Sequence, residues 1–152
     1  KASLDNKEYT MNSIAIVYWS GTGNTEKMAE AIKAGITEKN GSVSVFTASE
    51  FNDAKFDEFD VVAFGCPAMG NEELEESEFA PMFQSCVPKL KGKKIALFGS
   101  YSWADGEWMK TWEERAKGVG ANVFEGEGLI IYDKPDDEGI AKCKAFGERF
   151  AK

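Results

Sequence analysis

The stretch "IVYWSGTGNTEKMAEAI", Ile16 to Ile32, carries three signals in a row. An apolar run from Ile14 to Trp19 ends in Ser20-Gly21-Thr22-Gly23-Asn24-Thr25, and Met28, Ile32 and Ile36 then recur at helical spacing. The order is strand, turn, helix. The turn holds three hydroxyls, two glycines and an asparagine but no Lys or Arg. A turn feeding a helix N-terminus offers backbone N–H groups and the positive end of the helix dipole, and glycine lets the backbone close around a small group. Such a nest suits an anion held by dipoles and hydrogen bonds, hence a permanently bound monophosphate rather than a polyphosphate to be cleaved. Glu26 stands where a dinucleotide fingerprint has its third glycine, and no Gly-Lys pair follows for a P-loop. Read alone, the same turn is more often an ordinary capped loop.

Outward from this unit, short continuous apolar runs recur at "VVAFG" (Val61 to Gly65), "IALFG" (Ile95 to Gly99) and "GLIIY" (Gly128 to Tyr132). Runs of this kind suit strands buried on both faces of a parallel sheet. "VSVF" (Val43 to Phe46) alternates instead, as an edge strand does. Helical stripes lie between them: Phe79, Met82, Phe83 and Cys86; Trp108, Met109, Trp112, Ala116 and Val119; Ile140, Cys143, Phe146 and Phe150. Pro81 falls in a first helical turn, and "TASEFNDAKFDEFD" (Thr47 to Asp60) has room for only a weak turn of helix. The alternation predicts an α/β three-layer sandwich: a five-stranded parallel sheet of order 2-1-3-4-5 with helices on both faces.

The 152 residues are 43% hydrophobic, the size of one domain with its own core. A net charge of −8 argues against nucleic acid and anionic membranes and for partners with basic docking faces. No apolar run approaches the ~20 residues of a membrane span. Cys66, Cys86 and Cys143 are odd in number and lack metal-ligand spacing, and there is no His. A zinc site and a Ser-His or Cys-His nucleophile are therefore excluded, and a reducing, cytoplasmic setting is expected. Residues 1–11 read as a polar leader, a scar or linker, ahead of one domain at 12–152; a monomer is expected.

In a sheet of this order ligands bind beyond the carboxyl ends of the strands, where the winding reverses beside strand 1. Three loops meet there: Ser20–Thr25, "CPAMGNEELEE" (Cys66 to Glu76) after strand 3, and "SYSWADG" (Ser100 to Gly106) after strand 4. Met69 and Trp103 fall outside any helical or strand period, and two large apolar side chains flanking one crevice can sandwich a planar ring. The competing reading is that each belongs to the core.

The segments "VYWSGTGNTE", "GCPAMGNEELEESEF" and "LFGSYSWADGEWM" resemble the three flavin-binding loops of the short-chain, clostridial-type flavodoxins, over nearly the whole chain after the leader. The resemblance implies a flavodoxin-like fold and a low-potential one-electron carrier, not an enzyme, that uses non-covalently bound FMN to shuttle electrons between reductases and reducing enzymes. It implies FMN phosphate on Ser20, Gly21, Thr22, Gly23, Asn24 and Thr25. Met69 then covers the inner face of the ring and Trp103 the outer. Gly70 and Asn71 meet flavin N5 and Glu72 lies near N3. Pro67, Ala68, Ser100, Tyr101, Ser102, Asp105 and Gly106 complete the cofactor site. The chain departs from the pattern at Ser102 and Ala104, where glycine is usual, and at Asn71, where an acidic residue is common. Glu72, Glu73, Glu75, Glu76 and Glu78, crowded after strand 3, are expected near the flavin, where their charge disfavours the reduced anion.

Other functions on the same topology fit poorly. A low-molecular-weight phosphatase needs Cys and Arg in the first loop, and a receiver domain needs Asp where Cys66 stands. A cofactor-free partner-binding module would be colourless. The serious alternative is an FMN-dependent NAD(P)H:quinone or flavin reductase, which needs an open groove for nicotinamide over one flavin face.

Overall fold

The computed structural model describes residues 13–70, 73–102 and 105–151; the expected leader lies outside them. Strands β1 (Ser13–Tyr18), β2 (Ser42–Thr47), β3 (Val61–Gly65), β4 (Lys94–Tyr101), β5 (Asn122–Val123) and β6 (Leu129–Tyr132) form one sheet. Its order is β2-β1-β3-β4-β5, with every pairing parallel, and β6 also pairs with β4. The helices are α1 (Asn24–Glu38), α2 (Asp53–Phe56), α3 (Phe79–Cys86), α4 (Glu107–Gly118) and α5 (Asp137–Phe150). The expected order thus holds, with one refinement: the last strand is split. β5 runs beside Lys94 and Ile95, and β6 beside Phe98 to Tyr101. Between them Glu125 and Gly126 take left-handed backbone, φ 62° and 79°, which no strand accommodates. A two-residue strand carries too little pattern to be read from sequence.

Both layers of the core follow the predicted stripes. On one face α1 buries Met28, Ile32 and Ile36, and α5 buries Cys143, Phe146 and Phe150, against Ile14, Ile16, Ala63 and Phe98. On the other, α3 buries Phe79, Met82, Phe83 and Cys86, and α4 buries Trp108, Met109, Trp112 and Ala116, against Val17, Val62, Phe64 and Leu97. Phe83 meets Phe64 edge-on at 5.1 Å. Val119 departs from its stripe: α4 ends at Gly118, and Val119 is exposed just past it. The connection from β2 to β3 holds one 3₁₀ turn, Ala48–Glu50, and the four-residue α2.

α1 and α5 touch backbone to backbone. A Cβ at Gly35 would lie 2.0 Å from the Lys144 carbonyl oxygen, and one at Gly147 would lie 2.1 Å from that of Ile32. Neither obstacle is a side chain that can swing away, so the helices must separate to admit a methyl group. Gly35→Ala should therefore cost about 1–3 kcal/mol, read as a lower urea midpoint with unchanged slope.

Glu75 organises the segment ahead of α3. It is 6% exposed, and its carboxylate accepts the backbone N–H groups of Ser77 (2.9 Å), Glu78 (2.8 Å) and Phe79 (2.8 Å) and the Ser77 hydroxyl. Burial alone would raise its pKa, but these four donors outweigh it and hold the carboxyl at about 2, against an ordinary 4.5. Its contribution is present above about pH 4.5 and is lost as pH falls from there towards 2. Glu75→Gln should cost on the order of 3 kcal/mol at neutral pH. Its stability should also fall less steeply than the parent's between pH 4.5 and 2; parallel curves in urea titrations over that range would place the stabilising carboxylate elsewhere.

Candidate functional site

Beyond the carboxyl ends of β1, β3, β4 and β6 lies an open crevice of about 320 Å³. One wall is the turn from β1 into α1: Trp19, Ser20, Gly21, Thr22, Asn24 and Thr25. Gly23 caps α1 with φ 99°, a conformation strained for any side chain, and so offers no capping group of its own. The cap comes from farther back. Ser20 Oγ accepts the N–H of Gly23 at 3.0 Å and of Glu26 at 3.2 Å. Among the described residues nothing accepts the backbone N–H of Thr22, Asn24 or Thr25. These donors stand at the positive end of a 15-residue helix.

The three hydroxyls of the turn have separate tasks. Ser20 closes the loop. Thr25, 1% exposed, places its hydroxyl 3.0 Å from that of Ser100, and also receives the Ser100 N–H at 3.4 Å. Thr22 is exposed in the crevice wall with no partner among the described residues.

The second wall is Pro67 to Gly70, running on from β3. Its path is set by the next strand: Cys66 N–H donates to the Phe98 carbonyl (3.0 Å) and Ala68 N–H to that of Ser100 (2.9 Å). Trp108 Nε1 donates to the Cys66 carbonyl at 3.1 Å. Met69 is half-buried and Gly70 exposed. Cys66 itself faces the core; burial pushes its thiol up to about 12, so it stays protonated and is no nucleophile.

The third wall is the end of β4. Ser100 and Tyr101, expected in a loop, are its last residues, and Ser102 follows. Gly23, Asp105 and Gly106 do not form part of the wall; Gly106 is the buried cap of α4. Asn71, Glu72 and Trp103, and with them half of the expected ring sandwich, lie outside the described residues. Of the acidic run expected near the flavin, Glu75 has its carboxylate committed to the start of α3. Glu78 holds Trp19 Nε1 at 3.0 Å.

Two wall residues escaped the sequence reading. Trp19 follows β1, bonds its N–H to the Gly65 carbonyl, and lies against Gly21. Its place just before the hydroxyl turn was the available signal. Asp133 comes from the turn after β6, with φ 58° and its N–H on the Tyr101 carbonyl. It becomes visible only once β6 is known to lie along the end of β4. No Lys or Arg stands among the described wall residues.

A family model described as flavodoxin matches residues 16–147. The flavodoxin of Clostridium beijerinckii is 49% identical over 136 residues, covering 90% of this chain and 97% of its own. That of Megasphaera elsdenii is 46% identical over 142 residues, covering 91% and 98%. The solution structure of two-electron reduced Megasphaera elsdenii flavodoxin superposes with a TM-score of 0.82 at 45% identity, covering 91% and 98%. A flavodoxin from the domain Archaea gives 0.82 at 31% identity, covering 91% and 96%. With a parallel sheet of matching order and a crevice at its switch point, the chain belongs to the flavodoxin family, whose members bind FMN and carry electrons to partner proteins rather than acting as enzymes.

Proposed function

We propose that FMN lies along this crevice with its phosphate on the Ser20–Thr25 turn and its ring against Met69 and the loops after β3 and β4. The observation that carries the reading is the set of backbone N–H groups at Thr22, Asn24 and Thr25, aligned at a helix N-terminus without acceptors among the described residues. The rest of the wall suits the same molecule. Pro67, Ala68, Met69 and Tyr101 supply apolar surface for a flat ring, and about 320 Å³ is within the usual range of small-molecule sites. Bound there, FMN supplies the one-electron chemistry; the protein binds, orients and electrostatically surrounds it.

In this reading Ser20 shapes the turn, Thr22 and the free N–H groups bind the phosphate, and Thr25 fixes the depth of the turn through Ser100. The domain is residues 12–152. Asn71, Glu72, Trp103, Asp105 and Gly106 retain the roles that the family resemblance implies for them. The carrier works as a monomer in a reducing, cytoplasmic setting, supported by three buried cysteines without disulfides. Its partners present basic faces, supported by the net charge of −8.

Two substitutions separate these tasks. Thr22→Val should weaken FMN by about 1.5–3 kcal/mol and leave apoprotein stability unchanged. Thr25→Val should weaken FMN and also lower the apoprotein's urea midpoint, since it leaves the buried Ser100 hydroxyl unpaired. Titrating apoprotein with FMN and with riboflavin, followed by flavin fluorescence, tests the anchor: riboflavin should bind far more weakly, and equal affinities would remove the phosphate assignment.

A further inference from the structure

One surface next to the crevice shares only Tyr101 with its walls. β6 pairs with β4 on one side only, so its outer side is the edge of the sheet. Along that edge runs an open groove of about 350 Å³ between Ile130 and Tyr132 on β6, with Tyr101 of β4 beside them, and the cap and first turns of α5 at Asp136, Glu138 and Lys142. Tyr132 is 62% exposed, the most exposed of the large hydrophobic side chains among the described residues. Its ring stands edge-on to Tyr101 at 5.4 Å, and Tyr101 and the adjoining Asp133 are themselves crevice walls. Groove and crevice are therefore continuous.

We infer that the β6 edge, with Tyr132 as its anchor, is where a basic redox partner docks. The occupant is a protein face that sets lysine or arginine side chains around an apolar residue. Exposed aromatics are the side chains that most often anchor an interface. Around Tyr132 the exposed groups are Asp133, Asp136, Asp137 and Glu138, against Lys134 and Lys142, so carboxylates outnumber ammonium groups four to two. That balance attracts a basic face and disfavours a second copy of this acidic chain. An unpaired strand edge also offers backbone donors and acceptors to an incoming segment. Contact here brings the partner's redox centre to the mouth of the crevice through Tyr101. The inference rests on the FMN reading above.

The probe is a basic c-type cytochrome. The protein is loaded with FMN, its flavin content measured, and it is then reduced and mixed with excess ferric cytochrome. The reduced flavin loses one electron and the haem iron gains it, becoming ferrous. Second-order rate constants are taken at low and high salt for the parent, Tyr132→Ser, Glu138→Gln, and Val45→Ser on the opposite edge. Each is repeated with an uncharged quinone as acceptor. Tyr132→Ser should slow the cytochrome reaction at least fivefold at both salt concentrations. Glu138→Gln should slow it about twofold, at low salt only, as expected for a charge that steers the encounter. Val45→Ser should leave it unchanged, and the quinone rate should be the same for all four proteins. A cytochrome rate for Tyr132→Ser within twofold of the parent would overturn the inference. So would a quinone rate that falls in step with it, because that would mean damage to the crevice rather than to docking. A parent protein that takes up no FMN would instead overturn the cofactor reading, before any rate is measured.

Discussion

The Thr25 and Ser100 hydroxyls, 3.0 Å apart and out of contact with water, join the first turn of α1 to the end of β4 across 75 residues of sequence. A polar pair of this kind is costly when half made and stabilising when complete. It therefore fixes how deep the hydroxyl turn sits relative to the central strands. The crevice inherits its shape from that depth. Ser100 also presents its carbonyl to Ala68 N–H, so the loop after β3 is hung from the same residue that anchors the loop after β1. Tyr101, the next residue, accepts the N–H of Asp133 and brings in the fourth segment. Three walls of the site converge on two consecutive residues at the end of one strand.

The parallel sheet supplies the frame for this convergence. Its central strands are buried on both faces, so their register is set by large side chains on two layers at once, such as Ile16 and Phe98 on one and Phe64 and Leu97 on the other. A strand that cannot slip delivers its last residue to a defined place. The loops are then positioned by backbone hydrogen bonds that continue the sheet pattern past the strand ends, as with Trp19 on Gly65 and Cys66 on Phe98.

This division explains which parts of the molecule could be read from sequence. The continuous apolar runs and helical stripes are statements about burial and gave the elements and both core layers, while their alternation with right-handed crossovers gave the strand order. The position of the hydroxyl turn was legible because glycines and hydroxyls between an apolar run and a helical stripe mark a strand-to-helix turn. What stayed hidden depends on contacts between distant segments. Nothing near Glu75 distinguishes it from its acidic neighbours, and only the fold aims its carboxylate at three backbone N–H groups. Asp133 looks like an ordinary turn residue until β6 is placed beside Tyr101. The commitment of Thr25 to Ser100 likewise cannot be inferred from either segment alone.

The interruption of the last strand bears on how this scaffold can change in length. Residues 125–127 are exposed, and the chain there leaves the sheet and returns to it lower down the same neighbour. β5 and β6 are each held by β4 independently, so the spacing between them is not dictated by pairing. Lengthening an exposed loop is thermodynamically mild, rising only with the logarithm of its length. A segment spliced in at this point would emerge near the end of α4, where Lys117 meets the Gly126 carbonyl, at the end of the sheet away from the crevice. The break is thus a natural port for grafting a reporter or an extra module without moving the residues that line the crevice.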